Sequence, residues 1–356
     1  MLEARICKRF SARPDSAAFT LDVEFRAGAG VTVLFGPSGS GKTLTLDCIA
    51  GFSAPDAGRI MLDGHILFDA DARVNAPPRR RRCGYVFQNY ALFPHMTLRR
   101  NLEFAADGYS RLERHRKVNE MLERFHLEDV AGRRPHELSG GQKQRCSIAR
   151  AIVGGPRLLL LDEPARGLEA PLRAELYTLI RQVCEDFGIP VLLVTHNLEE
   201  CFELADEMLV LREGRIVQSG APRDIADRPA SIEVARLLGI FNLLQVEIVD
   251  LDPQRNLSRL RFGDCDIAGP YFPGRFRGDR VSLCVRPEQL RVGNGEGSGG
   301  PNQVRLELVR SVETSHGMRL EFAGGVAVEV SRVEYERHKH NKEWLVSFPQ
   351  HALRIL

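Results

Sequence analysis

Hydrophobic and polar positions change rhythm along this chain. In the first part, Phe19, Leu21, Val23 and Phe25 alternate with Thr20, Asp22 and Glu24, which predicts a half-exposed strand. Val31 to Phe35 is a mainly apolar run that reads as a further strand, while Leu158 to Leu161 and Val191 to Val194 are unbroken and predict strands buried on both faces. Val118, Met121, Leu122 and Phe125 recur at helical spacing and form one apolar face, within a helical stretch of about 97–135 that Gly132 and Pro135 end. Leu44, Leu46, Cys48 and Ile49 predict a shorter helix stopping near Gly51. Ile60 to Phe68, around Asp63-Gly64, and Arg212 to Ile216 predict hairpins, and Gly84 to Phe87 a short strand.

From about residue 240 strict alternation takes over, in Val281, Leu283 and Val285, then Val304, Leu306 and Leu308, then Val326, Val328 and Val330. Glycine-rich turns and a linker-like stretch from Gly293 to Pro301 separate these strands. The expected architecture is therefore an α/β domain with a helical subdomain over 1–230, followed by a small, OB-like β barrel over 231–356.

Composition narrows the classes of partner. The chain has 356 residues, 43% of them hydrophobic, enough for a core in each of two domains. Lys plus Arg number 49 against 47 for Asp plus Glu, and a net charge of +2 gives no general reason to bind nucleic acid or an anionic surface. The run Arg79 to Arg82, after Pro77-Pro78, reads as a solvated turn before the next strand. Eight cysteines without a C-x-x-C pair read as reduced core thiols. The N-terminus lacks an apolar signal region and no run reaches the ~18 apolar residues a membrane helix needs, so a soluble, cytosolic protein is expected, with any membrane role coming through a partner.

The candidate chemistry sits where strands end. Gly36-Pro37-Ser38-Gly39-Ser40-Gly41-Lys42-Thr43 joins a strand to a helix N-terminus. Glycines there let backbone N–H groups approach phosphate oxygens, Lys42 would reach the β- and γ-phosphates of a nucleoside triphosphate, and the Thr43 hydroxyl would ligate the bridging Mg²⁺. Asp162 and Glu163 end the Leu158 strand, where open α/β sheets bind ligands. Asp162 would hold Mg²⁺ through water, and Glu163 would orient or deprotonate the attacking water. His196 ends the next such strand and is a candidate for the γ-phosphate, and Gln88 is a candidate sensor of Mg²⁺ or of the attacking water. Ser139-Gly140-Gly141-Gln142 reads either as a capped helix start or as a second phosphate contact through glycine amides. Phe10 or Phe19 is the candidate to stack on adenine.

Taken in order, the phosphate loop, Gln88, Leu138 to Arg145, Leu158 to Pro164 and His196 resemble the ATP-binding subunit of an ABC transporter, over about the first 230 residues. The resemblance implies an ATP-sandwich dimer, in which Ser139 to Gln142 of one copy closes over the phosphate loop of the other. It also implies that Gln88 and the loop after it meet transmembrane permease subunits, so that the chain works peripherally on the cytoplasmic face of the membrane. The barrel, with Val285-Arg286-Pro287-Glu288, resembles the accessory domain of importers for sugars, polyamines, ferric iron and oxyanions, which a periplasmic or extracellular solute-binding protein serves. Pro77 to Gln88 and the extra N-terminal strand look most like the molybdate importer subunit. Ferric iron, polyamine or sugar import, or a soluble ABC ATPase uncoupled from transport, are the alternatives. One departure stands out: Arg166-Gly167-Leu168-Glu169 replaces the family's Ser-Ala-Leu-Asp, and slower or less cooperative hydrolysis is expected from it.

Overall fold

A computed structural model describes residues 1–12, 17–293, 302–314 and 317–356; most of the linker-like stretch read from the sequence, 294–301, lies outside them. The chain divides into two compact units, Met1–Asp227 and Arg228–Leu356.

In the first unit, β1 (Leu2–Phe10) and β2 (Phe19–Ala27) run antiparallel and lead into β3 (Gly30–Phe35) and helix α1 (Lys42–Ala50). β2 buries alternate residues, as its pattern predicts. β4 (Ala57–Leu62) and β5 (His65–Asp69) form a hairpin in which Asp63 and Gly64 both take positive φ, and β6 (Val74–Asn75) completes an antiparallel sheet ordered β2-β1-β4-β5-β6. After β7 (Cys83–Val86) the expected helical stretch is two helices, α2 (Leu98–Ala105) and α3 (Arg111–Arg124), whose predicted face of Val118, Met121, Leu122 and Phe125 is buried. A capping box formed by Ser110 and Glu113 starts α3.

Helix α4 (Gly140–Val153) leads to β8 (Leu158–Asp162), α5 (Ala170–Phe187), β9 (Pro190–Thr195), α6 (Leu198–Leu204), the hairpin β10 (Glu207–Arg212) and β11 (Arg215–Gly220), and α7 (Pro222–Asp227). These strands build a second sheet, ordered β11-β10-β3-β9-β8-β7, parallel throughout except for the β10–β11 pair. Every residue of β8 and β9 is buried, which is why their sequences show no alternation. At ~2 kcal/mol for each fully buried leucine, this core holds the strands rigid enough to carry charged groups at their ends. Register aligns those ends, because Phe35 pairs with Thr195, Asp162 with Val194 and Val86 with Leu161.

The second unit begins with α8 (Ile232–Leu238) and continues as β12 (Asn242–Asp252), β13 (Leu257–Phe262), β14 (Cys265–Gly269), β15 (Arg280–Val285), β16 (Arg291–Gly293), β17 (Gln303–Thr314), β18 (Gly317–Phe322), β19 (Val326–Val330), α9 (Arg332–His338), β20 (Glu343–Ser347) and β21 (Arg354–Ile355). Two five-stranded sheets, β14-β13-β12-β15-β21 and β16-β20-β17-β18-β19, share one core that includes Leu260, Leu283, Leu320, Trp344 and Phe348. The Asn242 amide exchanges two hydrogen bonds with the backbone of Ala327, at 2.8 and 2.7 Å, and so joins the sheets. Along β15 the polar residue Ser282 and the thiol of Cys284 are buried as well as the predicted valines and leucine, so both faces of that strand are covered.

The arginine run before β7 corrects its sequence reading. Arg79, Arg80 and Arg82 are exposed, but Arg81 is 1% exposed. Its guanidinium donates to the Cys48 and Ile49 carbonyls at the end of α1, at 2.7 and 2.9 Å, and to Ala76 O and Asn75 Oδ1. A helix end leaves its last carbonyls without partners, and a buried arginine with five donors satisfies them. Replacing Arg81 with Ala strands the buried Cys48 and Ile49 carbonyls and removes two further bonds, to Ala76 O and Asn75 Oδ1, and is expected to cost about 3 kcal/mol of the unit's stability. An unchanged urea midpoint for Arg81→Ala would refute this.

Candidate active site

The phosphate-type loop leaves β3 and enters α1 through backbone that only glycine adopts easily. Gly39 and Gly41 have φ of 80° and 104°, and Gly41 occupies the N-cap of α1. A Cβ on Gly36 would stand 2.1 Å from the Leu211 carbonyl oxygen, so the loop is pressed against β10. Lys42 is 6% exposed, and its ammonium donates to the Gly36 and Pro37 carbonyls, both at 2.8 Å. Burial lowers its pKa, and the nearby carboxylates of Glu163 and Asp162 partly oppose that. Ser40 Oγ is buried without a hydrogen-bond partner. Phe19 lies beside the loop, its ring tip 3.1 Å from where a Gly41 Cβ would be, and Phe10 faces Phe19 across the β1–β2 pair, 43% exposed.

The strand ends bring the remaining candidates together. Thr43 Oγ1 donates to Asp162 Oδ1 at 3.2 Å, and Asp162, 5% exposed, has its pKa raised by burial despite that bond. Glu163 follows with φ of 47°, a left-handed conformation uncommon outside glycine, and its N–H donates to Val194 O on β9. Its carboxylate accepts from Gln88 Nε2 at 3.3 Å and from Arg166 Nη1 at 3.1 Å, and lies 2.9 Å from His196 Nδ1. Two predicted residues, Gln88 and His196, therefore converge on the carboxylate of a third. Arg166, the first residue of the segment that departs from the family pattern, converges on it too.

Ser139 to Gln142 stand apart from this cluster. Ser139 caps α4, its hydroxyl accepting from Gln142 N at 3.2 Å while Gln142 Oε1 accepts from Ser139 N at 3.0 Å. These bonds are internal to the helix start, and Ser139 and Gly140 face solvent. Sequence reasoning missed Ser147 and Arg150, which lie further along the same helix. Ser147 Oγ donates to Tyr90 O at 3.0 Å, and Arg150 donates to Ala91 O at 2.6 Å and Tyr90 O at 3.3 Å. They tie the loop after Gln88 to α4. The only available signal was their i, i+3 spacing, which is common on any helix.

A family profile described as ABC transporter matches residues 20–166. The chain is 42% identical over 279 residues to the spermidine/putrescine import ATP-binding protein PotA of Nitratidesulfovibrio vulgaris, covering 76% of this chain and 72% of that protein. The chain belongs to the ABC transporter ATP-binding family. The molybdenum import ATP-binding protein ModC of Paramagnetospirillum magneticum is also 42% identical, over 244 residues, covering 68% of this chain and 67% of the relative. Among solved structures, the dimeric post-hydrolysis state of the ATP-binding cassette MJ0796, bound to ADP and Pi, is 27% identical with a TM-score of 0.55, over 63% of this chain and 99% of that one.

As an ABC ATPase the chain uses ATP with Mg²⁺, and its donors suit that ion. Among the described residues no group of three or more His, Cys, Asp or Glu side chains could hold a metal alone. A hydroxyl beside one buried carboxylate fits a hard cation that completes its shell with phosphate oxygens and water.

Behind this cluster of the ABC ATPase, Glu200 on α6 is 3% exposed and its Oε1 has no hydrogen-bond partner. Burial raises its pKa from 4.5 to about 7, opposed by a hydrogen bond to Thr195 and the charges of His196 and Arg173, and reinforced by Glu163. With the folded pKa above the unfolded one, folding takes up a proton between them. Stability therefore falls as pH rises from about 4.5 to about 7, then levels off. Relative to Glu200→Gln, the native chain should lose on the order of 3 kcal/mol across that window. Urea midpoints of the two proteins that stay parallel over it would count against the assignment.

Proposed function

We propose that this ABC ATPase energises a membrane importer, with Glu163 as the group that orients or deprotonates the attacking water. The carrying observation is the convergence of Gln88 and His196 on the Glu163 carboxylate, beside the Thr43–Asp162 pair at the same sheet edge. Backbone N–H groups of the loop from Gly36 to Thr43, those of Ser38 to Ser40 at its turn included and Pro37 excepted because it has none, would cradle the phosphates of ATP, and Lys42 would exchange its carbonyl partners at Gly36 and Pro37 for phosphate oxygens. Thr43, Asp162 and Gln88 would hold Mg²⁺, which when bound would supply positive charge against the phosphates. His196 contacts the γ-phosphate while remaining within reach of Glu163. Phe19 is the better placed of the two aromatic candidates for adenine because it already lies against Gly41.

The exposed start of α4 supports a site completed by a second copy. Ser139, Gly140, Gly141 and Gln142 of the partner would then supply the remaining phosphate contacts, in keeping with the dimeric state of the solved cassette MJ0796. For the permease, a cleft of about 540 Å³ lined by Phe87, Ala91, Phe93, Phe104 and Arg150 is the docking place. Phe104 is 57% exposed there, and the cleft adjoins the loop that Ser147 and Arg150 tie to α4. Among the described residues no helix is long and apolar enough to cross a membrane, so peripheral attachment through that cleft is the mode this reading requires.

The cargo we assign is molybdate or a related inorganic oxyanion, on the likeness of Pro77 to Gln88 and of the name borne by the molybdenum relative. A polyamine is the second reading, because the spermidine/putrescine relative is equally identical over a longer span. In cells lacking the chain, native protein should restore molybdenum accumulation under limiting molybdate, whereas iron or polyamine restored instead would replace the cargo. Glu163→Gln should retain ATP and lower kcat by at least about 100-fold; undiminished turnover would remove Glu163 from its role. Phe104→Glu should abolish uptake while leaving ATP binding intact, and normal uptake by that variant would move the docking place.

A further inference from the structure

Arg166 reaches Glu163 along a short local path. The chain turns tightly after β8, with Arg166 N donating to Glu163 O at 3.2 Å and Leu168 N to Ala165 O at 3.2 Å. This turn folds the Arg166 side chain back so that Nη1 meets Glu163 Oε2 at 3.1 Å. The two partners differ in surroundings: the Glu163 side chain is 13% exposed and that of Arg166 60%. The guanidinium thus enters from solvent onto a shielded carboxylate. Gly167 comes next, with φ of 75° and no atom within 4 Å of where its Cβ would be.

Occupancy of the carboxylate decides what this contact does. Oε2 already accepts from Gln88, and Oε1 faces His196, so Arg166 takes one of the remaining lone-pair directions. Three of about four directions are then taken, and a carboxylate held on three sides cannot turn to present the remaining one to a water. We propose that Arg166 is a positioning residue that pins Glu163 from the solvent side and keeps basal ATP hydrolysis slow until the guanidinium moves away. This rests on Glu163 having the role assigned above. Because the arginine is mostly exposed, the pin is weak and screened by salt.

The test measures steady-state ATP hydrolysis by the full-length chain and by Arg166→Ser, Arg166→Gln and Arg166→Lys. Removing the charge should raise kcat about five-fold with the KM for ATP within about two-fold, since Arg166 makes no contact with the phosphate loop in its hydrogen bonds. Arg166→Lys should restore the slow rate. Native kcat should climb with ionic strength towards that of Arg166→Ser, whose own rate should respond far less, a difference that loss of mere structural support would not produce. Hydrolysis by the native chain that Arg166→Ser and Arg166→Gln leave unchanged or slower overturns the pin alone. Absence of hydrolysis in the native chain and in all three variants overturns the ATPase role of Glu163 and the pin with it.

Discussion

Charged groups placed at the edge of a fully apolar sheet must be paid for in desolvation, and the rest of this structure depends on how that cost is met. An isolated ion taken out of water loses several kcal/mol even after relaxation. Here each charge has a named partner. Lys42 rests on two loop carbonyls, Asp162 on Thr43, and Glu163 on Gln88, His196 and Arg166. Some of these partners are groups that phosphate, Mg²⁺ or water would replace, so the arrangement that keeps the edge folded is also one that a nucleotide can enter.

Rigidity comes from the layer beneath. β3, β8 and β9 are buried along nearly their whole length, and their register places the phosphate loop, the two acids and His196 side by side. Arg81 adds a second support by closing the end of α1, the helix whose start forms the loop. The same sheet edge is linked outward through β7 to Gln88 and then, by the Tyr90 and Ala91 carbonyls, to Ser147 and Arg150 on α4. A movement of the Gln88 loop therefore bears on the helix whose first residues are the candidate contacts to a second copy. Those hydrogen bonds give a continuous physical connection between an exposed aromatic cleft and the nucleotide edge.

Local rules made much of this visible in advance. Unbroken apolar runs marked the buried strands, alternation marked β2, and Asp63-Gly64 marked the hairpin whose two positive φ angles it now shows. Glycine spacing marked the loop because close backbone approach and positive φ leave few other residues able to serve. Arg81 was misread because its neighbours in sequence, Arg79, Arg80 and Arg82, are exposed and nothing local distinguishes it from them. Its two buried partners, the Cys48 and Ile49 carbonyls, lie on α1 at separations of 33 and 32 residues.

Sequence by itself determined the chemistry available: a phosphate loop, two acids at a strand end, a histidine at the next, and a capped helix start, all in the order of the ABC family. It did so because period, glycine placement and strand-end acids are properties of neighbouring residues. Tertiary structure alone decided which of them share a carboxylate. Gln88 lies 75 residues from Glu163 and His196 lies 33 residues away, so only the pairing of β7, β8 and β9 brings them within hydrogen-bond reach. Arg166 shows the converse: it is three residues from Glu163, yet its pairing depends on the tight turn after β8 and on a left-handed Glu163, neither of which a pattern of hydrophobic and polar residues encodes.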